Sequence, residues 1–520
     1  MNTFVKTLKV LGYISFFGVM VWLAVILFFE AEYNGVMNRL AGLKGDDAGQ
    51  HEGAKLVIAE PVAMRGFEPT VFDSFTRQRL NNVYETLIKP DRDLNMKPAL
   101  ALSWGLIDEN TWKFVLREGV EFHDGTTLDS RDVVASLDRA MNYEGSELAD
   151  MLSTLDEVEI LDKKTIVIST KEPDPLLLSK MATVYILPRE VLENPELTPV
   201  GTGSYLVQEL TSNGVLKLSR FAEYWGDAPD FAKVDIVTIE NTDGRVRAIQ
   251  DGSVDVLDYV PHDFVDQLGE DMNVYSIPSL EVQFLVFNTN RSLFNSEDMR
   301  KAALMALDRE EFANYLGKFV RPSYQFVSNG VFGYNPDVEQ IGYDEEGALE
   351  IAKKRNVEGR KVSVILPKGL ETLGEYLEKR FGAIGLVVEV EYPEDYLDAL
   401  ENGKYDIYFM GFKSELGDAS DFFVSSVHTD FEVEGKHYGQ YNFAKYSRSF
   451  LDLSIGAQGR EMEAKARLFL LQELMTSITE NDPYGIPLFE YETVFAAKDG
   501  LKFEPRIDGF IYLNEITYED

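Results

Sequence analysis

Cysteine is absent from the 520 residues. That excludes disulfides, so stability has to come from packing, and it excludes a lipid-bearing cysteine as a membrane anchor. Histidine is scarce: His51, His123, His262, His428 and His437 are the five, and none stands at the His-x-x-x-His spacing of a zinc site. Basic residues are outnumbered, 50 against 88 acids, for a formal charge of −38. Such a surface repels phosphate backbones and anionic lipid, so nucleic acid is not expected as a partner. The sequence also lacks a Gly-x-Ser-x-Gly elbow, a Ser-x-x-Lys pair and a P-loop. Gly201-Thr202-Gly203 lacks the third glycine of a dinucleotide fingerprint. Nothing here demands catalysis, and no cofactor is expected.

What is present is ample apolar material, 45% hydrophobic and 12% aromatic. A chain this long exceeds one hydrophobic core, which stops growing at roughly 250 to 300 residues, so two or three domains are expected. Residues 10–29, VLGYISFFGVMVWLAVILFF, contain no ionisable group apart from Tyr13. About 20 such residues span a bilayer as a helix. Lys6 and Lys9 precede the run and Glu30 and Glu32 follow it, which places residues 1–9 in the cytoplasm and everything after about 30 outside. A cleaved secretion signal is the competing reading, but the run is long for one and FFEAEY is a poor cleavage site. The expectation is a single-pass anchor in the cytoplasmic membrane. Residues 30–54 mix glycine, alanine and charge without an apolar period and read as a tether.

From Lys55 onward, short runs rich in β-branched and aromatic residues alternate with helical segments. KLVIA, TWKFVL, KTIVIST, KVDIVTI, VQFLVFNT, KVSVIL, GLVVEVEYP and KYDIYFMGF read as strands. A helix is predicted from the cap at Asn295-Ser296-Glu297-Asp298, through Met299, Ala302, Ala303, Ala306 and Leu307, to Gly317. A second is predicted over about 461–479. In EFHDGTTLDSRDV, residues 121–133, His123 beside Asp124 could be a catalytic pair. The favoured reading is a strand ending in an Asp124-Gly125 turn, followed by a helix capped by Thr127 or Asp129 with Val133, Val134, Leu137 and Met141 on one face. Strand–helix alternation of this kind defines an α/β protein.

Several blocks in order then resemble one family. LREGVEFHDGTTLDSRDVVASLDRAM is similar to the signature of the extracellular solute-binding proteins of family 5, the oligopeptide, dipeptide and nickel receptors of ABC importers. Pro98 and Trp104 bound a segment like the family's Pro-x-Leu-Ala-x-Ser-Trp. PVGTGSYLVQEL resembles its Val-Gly-Thr-Gly-Pro-Tyr, with Ser204 in place of the proline. EYWGDAPDFAKVDIVTI, RVRAIQDGSVDVLDYV, FLVFNTNRSLFNSEDMRKAALMALDREEF and PYGIPLFEYETVFA are similar to later blocks. The resemblance covers roughly 55–510. It implies a bilobed periplasmic-binding-protein-like fold with an extra middle domain. One lobe would comprise 55–80, 185–280 and 487–520, the extra domain 81–184, and the other lobe 281–486, with ligand enclosed by hinge closure.

The resemblance also implies site residues. The family's peptide receptors hold the free ammonium with an aspartate in a loop like Trp-Gly-Ala-Asp-Tyr-Pro-Asp-Pro. Aligned on MGFKSELGDASDFFVSS, residues 410–426, that aspartate falls on Glu415, the second acid on Asp418 and the tryptophan on Phe412. Glutamate reaches about one methylene further than aspartate and both prolines are gone, so the geometry differs from the family pattern. Phe287, Asn288 and Tyr491 are further candidates for the cleft, as is Glu60 after the first strand. The function implied is that of a membrane-anchored, monomeric receptor capturing short peptides and delivering them to an ABC permease. A metal chelate, opine or oligosaccharide ligand, and an anchored receptor that does not transport, are the alternatives.

Overall fold

The computed structural model describes residues 55–194, 197–433 and 436–519. The expected membrane helix and tether lie outside them; among the described residues no helix is long and apolar enough to cross a membrane. Residues 55–520 form one compact body. All eight runs read as strands are strands, from Lys55–Glu60 to Ile407–Lys413.

An eleven-stranded sheet runs through the body. In spatial order it comprises Tyr205–Leu210, Leu216–Arg220, Lys233–Thr238, Lys55–Glu60, Val256–Leu257, Gly485–Lys498, Met272–Phe287, Ile407–Lys413, Lys361–Ile365 and Val387–Glu391, with Val320–Pro322 also on Gly485–Lys498. The two long strands serve both halves. Met272 to Pro278 pair antiparallel with Lys498 to Glu492 on the first side, and Val282 to Val286 pair with Glu490 to Gly485 on the second. The ladder breaks between Pro278 and Val282. Proline has no N–H to give, which is why the interruption sits there.

Alternation along the second stretch explains its burial. Leu285 and Phe287 enter a core with the helices Glu297–Ala306, Glu345–Lys354 and Glu371–Ala383. Val282, Phe284 and Val286 enter another on the opposite face, with Phe326, Phe422 and Tyr484. Successive side chains point to opposite faces of a strand, so a strand buried on both sides reads as the unbroken apolar run FLVF, residues 284–287. In the first half, Ala59, Val246, Ile249, Leu257, Val494 and Ala496 share a core.

A separate four-stranded antiparallel sheet, Ala101–Asp108, Thr111–Leu116, Thr165–Thr170 and Leu155–Asp162, shares a core with the helix Ser130–Asn142. Asp129 caps that helix as expected and forms a capping box with Asp132. Val133 and Leu137 are fully buried. His123 is structural. Its Nε2 lies 2.9 Å from the carbonyl of Gly203, and its Nδ1 accepts from the Gly201 N–H at 3.3 Å. Burial holds its imidazole below the usual range. Gly201 and Gly203 press against the backbone of Val83 and Asn82; a Cβ would come within 2.2 and 2.5 Å of their carbonyl oxygens. The Gly-Thr-Gly motif therefore serves close backbone packing.

The helix expected over 295–317 is two. Glu297–Ala306 ends as Leu307 turns extended, and Asp308 caps a new helix, Arg309–Leu316, by accepting from the Glu311 N–H at 2.9 Å. Asp308 competes for backbone donors, which is what makes aspartate a cap rather than a helix interior residue. Gly317, at φ +136°, closes the second helix.

Candidate functional site

The strand Ile407–Lys413 leaves the second half of the sheet and becomes a tight loop before the short helix Ser420–Phe422. Several bonds fix this loop. The Ser414 N–H donates to Leu280 O at 3.1 Å, and the Phe332 N–H to Gly417 O at 2.9 Å. Gly417 adopts φ +66°, where a side chain would be strained. Asp418 accepts from the Ser420 N–H at 2.9 Å and from both Arg467 amino groups at 2.7 Å. Asp418 and Arg467 are both buried. A bidentate arginine–carboxylate pair of this kind locks the loop onto the helix Ala464–Thr476.

Facing this loop are residues around Asp150 to Lys180, at the four-stranded sheet, and between them lies a cavity of about 470 Å³. Phe72, Met151, Leu176, Phe412 and Val424 supply its apolar wall, and Asp174, Lys180, Glu415, Asp421 and Arg467 its charges. Two smaller spaces, of about 80 and 130 Å³, continue toward the first half of the sheet. Phe72, Lys413, Glu415 and Leu416 are shared by the first two spaces, and Ser74, Leu280, Lys413, Asp508 and Phe510 by the last two. Lys413 thus lines all three. A chain of spaces with apolar walls and a few fixed charges is suited to an extended amphiphilic solute.

The structure brings together two of the residues expected at the site. Phe412 lies in the wall of the large cavity with its ring edge-on to Phe422, 5.3 Å between centroids. Glu415 lines the large cavity and the next one. Its carboxylate lies 3.1 Å from the Lys413 ammonium. That ammonium also reaches Ser74 Oγ at 3.4 Å across the cleft.

The other expected residues stand elsewhere. Asp418 is the brace described above. Glu60 is buried 3.0 Å from Arg79. Burial raises its carboxyl, outweighing the pull of Arg79, and Asp258 adds to the rise. Asp258 accepts from Gln78 Nε2 at 2.8 Å, and these two, not Glu60, line the 130 Å³ space. Phe287 stacks on Phe294 in the core at 4.7 Å. Asn288 donates to Tyr405 O at 3.1 Å and caps the turn after its strand. Tyr491 packs beside Phe489 and His262 near the break in the long strands.

Several cavity residues carry no motif. The opposite wall, around Asp150 to Lys180, comes from a segment without patterned chemistry. There Asp174 is held by Lys180 at 2.6 Å and by the Thr154 hydroxyl at 2.5 Å. Asp421 lies in the short helix Ser420–Phe422, three residues after Asp418. Burial, Asp418 and Glu415 push its carboxyl up to about 7 against Lys180 and Arg467. Among the described residues no group of three histidines or acids could hold a metal ion.

A sheet whose two halves share a pair of long strands, with a cavity between its second half and the wall around Asp150 to Lys180, is the architecture of a bilobed solute receptor. Residues 95–432 match the model of the bacterial extracellular solute-binding proteins, family 5. The chain belongs to that family, and it is therefore a transport receptor rather than an enzyme. Among curated relatives, the dipeptide-binding protein of Escherichia coli K12 is 24% identical over 442 residues, 75% of this chain and 82% of that protein. The glutathione-binding protein GsiB of Salmonella paratyphi A is 23% identical over 457 residues, 82% and 87%. The solved structure of HbpA2 from Haemophilus parasuis superposes with a TM-score of 0.82 at 18% identity, covering 90% of this chain and all of that one.

Proposed function

We propose that this receptor captures short peptides in the interlobe cavity, on the outer face of the cytoplasmic membrane, and presents them to an ABC permease. The observation that carries the reading is the 470 Å³ cavity between the 410–426 loop and the wall around Asp150 to Lys180, lined by aromatic side chains and by charges of both signs. A peptide asks for that combination: apolar room for side chains, and opposite charges for its termini. The names of the relatives, dipeptide- and glutathione-binding, support the same ligand class. Residues 10–29 would hold the receptor at the membrane, so that a closed, loaded form stays within reach of its permease.

Thermal denaturation of the purified full chain tests the reading. Di- to hexapeptides at 100 times their dissociation constant stabilise a folded receptor by about 2.7 kcal/mol, seen as a raised midpoint. A midpoint moved by metal chelates or sugars, and by no peptide, would overturn the ligand class.

A further inference from the structure

Among the charged side chains that line the large cavity, Asp150 is solvent-exposed, and the cations Lys413, Lys180 and Arg467 are each taken by an acid. Lys413 is taken by Glu415, Lys180 by Asp174, and Arg467 by Asp418 in two bonds. Three cations are thereby matched to three acids. Asp421 is left over: it lines the same cavity, is half-buried, and makes no side-chain hydrogen bond or ion pair among the described residues. A second polar group in that wall is also unused. Gln458, at the end of the helix Ser449–Gln458, is 0% exposed, and neither its amide nitrogen nor its amide oxygen has a hydrogen-bond partner. Burying an amide with both ends unmet is costly, so a group facing it is expected to complete it. A glutamine amide offers N–H donors and a carbonyl acceptor in one plane, the complement of a peptide unit.

We propose that Asp421, rather than Glu415, pairs with the ligand's ammonium group, and that Gln458 pairs with the neighbouring peptide unit. The inference rests on the cavity being the ligand site and names the ligand class more closely: a solute carrying a cation next to an amide. Glu415 is disfavoured because a ligand ammonium would have to displace Lys413, which is tethered two residues away and already in place. Asp421 offers its charge without that competition. The ligand gains most where water is excluded, and Asp421 is the less exposed of the two acids.

The test is isothermal titration of the full chain at pH 8 with trialanine, N-acetyl-trialanine and agmatine. The wild type is compared with Asp421→Asn, Glu415→Gln and Gln458→Leu, each checked for a cooperative melt. A charge-assisted bond corresponds to about thirtyfold in affinity. The expected result is that the wild type prefers trialanine over its acetylated form by about that factor. Asp421→Asn should lose the preference, and Glu415→Gln should keep it. Gln458→Leu, which replaces an unmet amide with an apolar group of similar size, should weaken trialanine about tenfold and leave agmatine unchanged. Trialanine binding alike to wild type and Asp421→Asn overturns the assignment and leaves the peptide reading standing. Agmatine bound through Asp421 with no trialanine binding overturns the peptide reading and the Gln458 pairing and keeps the Asp421 assignment. Binding of neither overturns both.

Discussion

Replacing Asp421 with asparagine should make the unliganded receptor more stable above neutral pH, although it removes a charge from the cavity. Burial, Asp418 and Glu415 move the carboxyl from 3.8 to about 7. A tenfold change in a proton affinity corresponds to about 1.4 kcal/mol, so the ceiling is about 4 kcal/mol. The side chain is only half-buried, and solvent screening reduces the expected effect to about 2 kcal/mol. An acid with a raised folded pKa penalises the folded state when ionised. The penalty is absent below pH 3.8, grows between 3.8 and about 7, and is complete above that. Asparagine keeps the shape and carries no charge, so the variant escapes the penalty at pH 8 and gains nothing at pH 4. At about 2.1 cal/mol/K per residue, the body spanning 55–520 has an unfolding entropy of about 1 kcal/mol/K. The midpoint should therefore rise by about 2 °C at pH 8, and by less than about 0.5 °C at pH 4. Scanning calorimetry of both proteins at the two pH values reads this directly. A variant less stable at pH 8, or a difference independent of pH, would refute the picture of Asp421 as an uncompensated acid.

Two further outcomes follow from other parts of the molecule. Arg467→Met leaves Asp418 buried without its partner and should cost about 3 to 5 kcal/mol in urea denaturation, whereas Asp418→Leu combined with Arg467→Met should recover most of it; equal losses in the single and double variants would contradict the brace. Because the chain has no cysteine, Ser212→Cys in an exposed turn provides a single label site. In intact bacterial cells a membrane-impermeant maleimide should label it as fully as in lysed cells, and protection until lysis would place the body inside.

The strands were legible in the sequence because a run such as VQFLVF buries both faces and needs no partner to be recognised. The break at Leu307-Asp308 was not, because Met299 to Leu307 keep an apolar period that continues beyond it, and only the tertiary setting decides that Asp308 caps. The loop at 410–426 was found, and Phe412 and Glu415 do face the cavity. Which acid is free could not be read from that loop. The cation on Asp418 comes from Arg467, 49 residues away, and Lys180, in the opposite wall, lies more than 200 residues earlier in the chain. The distribution of unpaired charge is a property of the folded wall. Glu60 illustrates the same limit: its position at a strand end is readable, whereas its neighbour Arg79 arrives from the helix Ser74–Leu80.

The shared strands have a consequence for how the chain is made. The short strand Val256–Leu257 pairs with Ala497 and Ala496, near the end of Gly485–Lys498. A ribosome adding 5 to 20 residues per second takes on the order of tens of seconds to travel from one to the other. Throughout that interval the first half of the sheet has an open edge, although most of its own residues have long been synthesised. An open edge is a template for wrong pairing. The nascent receptor must therefore be kept from closing on itself or on a neighbour until its last strand emerges, and the two lobes reach their final form together.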